Sequence, residues 1–114
     1  MKVVYIAGPY RAKTIFGRII NIIRARREAL KWWKRGYAVI CSHSNSALFD
    51  GKAPDSVWLA GGLELLRRSD IIVMLPGWKF SQGSIQEYHT AKLLGIKVEE
   101  GEIYGKEKIL PLHT

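Results

Sequence analysis

The segment Ser81-Gln82-Gly83-Ser84-Ile85-Gln86-Glu87 gathers groups that can do chemistry. Gly83 and Ser84 feed a helix start, where free backbone N–H groups and the positive end of the helix dipole favour a phosphate or another anion. Glu87 follows one turn later, close to where a sugar bound over the loop would present its anomeric carbon. A carboxylate there could act on a glycosidic bond. Spacing leaves a second use open, because Ser84-Ile85-Gln86-Glu87 also matches a capping box, in which the glutamate returns to the cap backbone. Two further polar loops are Gly8-Pro9-Tyr10-Arg11 and Ser42-His43-Ser44-Asn45. Arg11 suits a phosphate, and His43 can stack on or hydrogen-bond a heterocyclic base. No G-x-x-x-x-G-K-[ST] occurs and Gly8 lacks the later glycines of a dinucleotide fingerprint, which sets aside ATPase and NAD readings. Glu87 and His89 diverge on a helix, so no metal site is expected, and no cofactor either.

These loops meet only if the intervening elements bring them together. Apolar β-type runs occur at Val3–Ile6, Ala38–Cys41, Ile71–Leu75 and around Lys97–Val98, with helical patterns between them. That alternation predicts a parallel sheet, whose right-handed crossovers put successive loops on one edge, outside the carboxyl ends of the strands where ligands bind. The first helix has Thr14 as N-cap, Gly36 as stop and a stripe of Ile15, Ile19, Ile22, Arg26, Ala29, Leu30 and Trp33, which predicts Trp33 in the core and Trp32 on a subunit contact. A second helix is expected from Pro54-Asp55 to Arg68, burying Trp58, Leu59, Leu65 and Leu66 despite the interruption at Gly61-Gly62. A third is expected from Ser84. The long loop through Phe49-Asp50-Gly51 to Pro54 has the length of a functional loop, and the tail from Glu99 to Thr114 suits an edge hairpin or an extended arm.

A chain of 114 residues, 47% hydrophobic and 25% charged, suits one domain, residues 1–114, with one core and one site. No apolar run approaches the roughly 18 residues of a membrane span. The N-terminus reads as a strand rather than a secretory signal, so a cytoplasmic location is expected. Cys41 is the single cysteine and is expected to be buried and inert. The net charge of +8 invites an anionic partner. Much of it lies in Arg18, Arg24, Arg26, Arg27, Lys31, Lys34 and Arg35, mostly one solvated helix face, which favours a phosphorylated small molecule over nucleic acid.

Val4-Tyr5-Ile6-Ala7-Gly8-Pro9-Tyr10, Arg68-Ser69-Asp70-Ile71-Ile72-Val73-Met74-Leu75 and the Ser81–Glu87 segment, taken in order, resemble the nucleoside 2-deoxyribosyltransferase superfamily. The likeness spans about Lys2 to Val98. With Leu75-Pro76-Gly77-Trp78 it looks closest to a small branch of that superfamily found in phages and bacteria. The resemblance implies a three-layer, flavodoxin-like (Rossmann-type) parallel sheet flanked by helices, and cleavage or transfer at the N-glycosidic bond of a nucleoside or its 5′-monophosphate. It implies Glu87 as nucleophile on C1′ and Tyr5 as the hydrogen-bond donor that holds its carboxylate. Ser81 would contact the 5′ side of the sugar, Gly83 and Ser84 the phosphate, and Ser42, His43 and Asn45 the base. Where active relatives carry an aspartate that assists proton transfer at the base, this chain has Gly62; Asp50 or Asp55 is the substitute to look for. A homo-oligomer is expected by the same analogy. A nucleotide-binding protein that senses or sequesters its ligand on the same fold is the alternative.

Overall fold

The computed structural model describes residues 1–45, 49 and 51–101. Its elements run β1 (Val3–Ala7), α1 (Ile15–Lys34), β2 (Ala38–Cys41), the one-turn α2 (Ser42–Asn45), α3 (Asp55–Arg67), β3 (Ile71–Met74), a 3₁₀ turn (Trp78–Phe80), α4 (Gln82–Leu93) and β4 (Lys97–Glu100). The four expected strands are present, and the expected tail beyond Gly101 lies outside the described residues.

All strand pairs are parallel, and the spatial order is β2-β1-β3-β4. This is a flavodoxin-like three-layer fold. Side chains alternate along each strand. Val4 and Ile6 of β1 and Ile71 and Val73 of β3 pack under α1 with Ala25, Ala29 and Trp32, whereas Tyr5, Ala7, Ile72 and Met74 meet Leu66 of α3 and Ala91 of α4. One face therefore carries α1 and the other carries α3 and α4. The chain steps from β1 outward to β2 and then back across β1 to β3, so the strand order reverses beside β1. A crevice opens at such a switch point, outside the carboxyl ends of the two strands.

The ends of α1 follow local chemistry. The Thr14 hydroxyl accepts from the Gly17 N–H at 3.0 Å, and Gly36 leaves the helix at φ 92°, the left-handed conformation that favours glycine. Its buried face, however, differs from the expected stripe. Asn21, Ala25, Glu28, Ala29 and Trp32 face the sheet, whereas Ile15, Ile19, Leu30 and Trp33 are exposed. Trp32 is therefore buried where an outward position was expected, and Trp33, expected in the core, is exposed. The cause is pairing: the Trp32 Nε1–H donates to Glu28 Oε2 at 2.9 Å and Lys31 Nζ lies 2.7 Å from the same oxygen, so a fully buried carboxylate is satisfied. Small side chains at Ala25 and Ala29 leave room for Trp32 beneath the helix. In α3 only Leu66 of the four expected core residues is buried, because Trp58 and Leu59 border the crevice and Leu65 faces outward.

Candidate functional site

The crevice is a cleft of about 780 Å³, within the range of small-molecule sites. Its walls come from Gly8–Arg11 after β1, Ser42 and His43 of α2, one side of α3 from Asp55 to Gly62, and Phe80–Glu87 at the head of α4.

Gly8 turns the chain away from the sheet against β3. A Cβ there would sit 2.6 Å from Leu75 Cβ, so only glycine lets the loop follow this path. The loop is then fastened from two sides. The Asn21 side-chain amide reaches the Tyr10 carbonyl at 3.3 Å, and His43 Nε2 lies 2.9 Å from the Pro9 carbonyl. His43 is buried, which pushes its pKa below the usual imidazole value and keeps it neutral, so Nε2 carries the proton and donates to Pro9. Its ring also meets the Tyr10 ring edge to face. His43 Nδ1 and the Trp58 Nε1–H, both on residues of the wall, are buried without a hydrogen-bond partner among the described residues.

The floor holds the reactive-looking pair. Tyr5 points to the α3 and α4 side of β1, fully buried, and its hydroxyl donates to Glu87 Oε2 across the cleft floor. Burial raises the Glu87 carboxyl to about 7, while the Tyr5 hydrogen bond pulls the other way. Burial and the adjacent carboxylate drive the Tyr5 hydroxyl well above the usual phenol value, so it stays protonated as a donor; Ser42 hydrogen-bonds the same hydroxyl. Glu87 is therefore engaged with Tyr5 rather than with the helix cap. The cap is Ser81: its hydroxyl accepts from the Ser84 N–H at 3.3 Å and helix α4 begins at Gln82, two residues before the expected start. The Ser84 hydroxyl donates to Ser81 Oγ at 3.1 Å, so Ser84 braces the helix start from a buried position. Gly83 faces open space, and the first-turn N–H groups of Gln82 and Gly83 have no acceptor within the helix, as its geometry requires.

Gly62 of α3 stands directly over the pair, since a Cβ there would lie 3.2 Å from the Tyr5 hydroxyl oxygen. At the mouth, Arg11 and Asp55 form an ion pair whose side chains are 73% and 69% exposed. The pair bridges the two walls, although solvent screening leaves it little weight in stability.

The profile of the domain-of-unknown-function family DUF4406 matches residues 2–100. The chain belongs to the DUF4406 family. No curated protein matches it.

In this DUF4406 domain the cleft brings together Tyr5, Gly8, Pro9, Tyr10, Arg11, Ser42, His43, Ser81, Gly83, Ser84 and Glu87 of the residues picked out from sequence. Asn45 closes α2, and Asp50 lies outside the described residues. Sequence reasoning passed over Trp58, Leu59, Phe80 and Gln86 as wall residues. Trp58 and Leu59 carried a signal in the neighbouring Gly62, where a Cβ would lie 3.2 Å from the Tyr5 hydroxyl, whereas Gly61 faces open space. For Gln86 and Phe80 the signal was position alone: Gln86 lies inside the Ser81–Glu87 segment and Phe80 directly precedes it.

Proposed function

We propose that this domain cleaves the N-glycosidic bond of a nucleoside 5′-monophosphate, with Glu87 as nucleophile. The observation that carries the reading is the partly enclosed Glu87 carboxylate, held by the Tyr5 hydroxyl on the floor of a cleft at the strand-order reversal. A carboxylate gripped through one oxygen keeps the other for attack on C1′. The bond from C1′ to the base nitrogen breaks through an oxocarbenium-like transition state, the base departs with the bonding pair and takes up a proton, and a glycosyl ester forms on Glu87. Water, or a second base, then attacks C1′ and frees the carboxylate.

The surroundings suit such a substrate. Gly83 and the head of α4 offer N–H donors and dipole charge to a phosphate, and Arg11 brings a guanidinium to the mouth. The Trp58, Phe80 and Tyr10 rings supply flat apolar surface for a base. One observation favours the second reading, a protein that binds a nucleotide without turning it over: Gly62 puts no acid beside the leaving group and lies too close to Tyr5 for a side chain to be added without displacement.

The test is incubation of the purified protein with ribo- and deoxyribonucleoside monophosphates, following free base by chromatography. The expected result is base release that vanishes in Glu87→Gln. Saturable nucleotide binding with no base release, in wild type and variant alike, replaces the enzyme with the binding protein.

A further inference from the structure

Helix α1 buries one face on the sheet and leaves a second apolar face in solvent. Phe16, Ile19, Ile23, Leu30 and Trp33 are between 44% and 71% exposed. With Arg26 they fall at intervals of three, four, three, four and three residues, the a and d spacing of a helix–helix seam. Ile15 continues the strip at its start. Single exposed apolar residues are ordinary on a protein surface; a row interrupted only by Arg26 along about 26 Å of helix is not.

We infer that this row is a self-pairing surface: two copies of the chain pack α1 against α1, antiparallel, about a two-fold axis passing between Arg24 and Ala25. The spacing fits that symmetry, because it mirrors about this point. Phe16 meets the second copy's Trp33 position, Ile19 meets Leu30, and Ile23 meets Arg26, each contact made twice, as an isologous interface requires. Charge selects the direction. Parallel pairing would set Arg26 against its own copy inside the seam, whereas the antiparallel arrangement lays each Arg26 stem along Ile23 and separates the two guanidinium groups. The row exposes on the order of 600 Å² of apolar area per copy, so two copies would bury from it at most about 1,200 Å², the lower end of a standard specific interface. The basic residues of α1 are compatible with this pairing, because Arg27 and Lys34 lie to one side of the row, which leaves Ile15 and Ile22 on the other. The inference does not depend on the chemistry assigned to Glu87.

Pairing also bears on the cleft without occupying it. Asn21, on the buried face of α1, holds the Tyr10 carbonyl, so a partner that steadies α1 steadies the Gly8–Arg11 wall.

Sedimentation velocity on the full chain over a range of concentrations tests the pairing. The expected result is a dimer that Ile19→Lys with Leu30→Lys converts to monomer, with the circular dichroism spectrum unchanged because both positions are exposed in the single chain, and with melting lowered only by the lost, concentration-dependent contribution of association. A wild-type monomer at every concentration, or a dimer that the double variant leaves intact, overturns it. Register is read by cross-linking, since Cys41, the only native cysteine, is buried. Ile19→Cys with Leu30→Cys should give a disulfide-linked dimer, and either change alone should not; cross-linking by the single variants would refute the antiparallel register.

Discussion

A carboxyl group that keeps its proton until about pH 7 makes Glu87 a stability sensor as well as a candidate nucleophile. The unfolded chain gives up that proton in the ordinary carboxylate range, so the folded state is penalised as pH rises from about 4.5 towards 7 and the penalty is complete above it. Chemical denaturation at pH 5 and pH 8 should show wild type losing up to roughly 3 kcal/mol across this interval that Glu87→Gln does not lose. For nucleophilic attack the ionised form is required, so kcat/KM should climb with pH through about 7. Removing the Tyr5 hydroxyl takes away the interaction that lowers the Glu87 pKa, and Tyr5→Phe should therefore move that limb to higher pH as well as reduce the rate. Gly62→Ala places a methyl 3.2 Å from the Tyr5 oxygen. It should depress ligand affinity or turnover more than thermal stability, a split that binding and melting measurements together resolve. Of this constellation the sequence displayed Tyr5 and Glu87 through a family likeness. It hid the Ser81 cap, because two serines three apart are equivalent until the helix start is known.

At the level of elements, the strands were readable because each is a short apolar run between turn residues, and α1 was readable from Thr14 to Gly36. Its orientation was not. Hydrophobicity pointed to the Ile19–Leu30–Trp33 side, yet the face against the sheet contains Asn21 and Glu28, whose burial is tolerable only because Trp32, Lys31 and the loop carbonyls are there to receive them. Those partners belong to tertiary structure, apart from the Trp32 and Lys31 spacings, which any exposed helix could also show. The join between β1 and its loop has a similarly non-local cause. Gly8→Ala drives a methyl to 2.6 Å from Leu75 Cβ, a branched, packed side chain rather than a flexible tip, and should cost about 1–3 kcal/mol in denaturant titrations.

For the molecule as a whole, a β-α alternation and handed crossovers made a parallel sheet and the edge on which its loops converge legible, whereas the order β2-β1-β3-β4 emerges only in the folded chain. Charge is the other global property. With +8 distributed over a small domain, encounter with a dianionic nucleotide is assisted from a distance, and screening should weaken it. Raising ionic strength from about 50 to 300 mM should lower kcat/KM, or the association rate, for a nucleoside monophosphate severalfold while leaving the unphosphorylated nucleoside nearly unaffected. None of the described helices is long and apolar enough to cross a membrane. Finally, the four indoles occupy four different surroundings: Trp32 beneath α1, Trp33 on the outer row, Trp58 in the cleft wall and Trp78 stacked on Tyr88. Indole emission follows local polarity, so a chain retaining Trp58 alone dims or shifts when the cleft fills, and one retaining Trp33 alone turns blue when the outer row is covered. Each single-indole chain would carry its own optical channel, so filling of the cleft and covering of the outer row could be followed separately, in parallel samples and without a label.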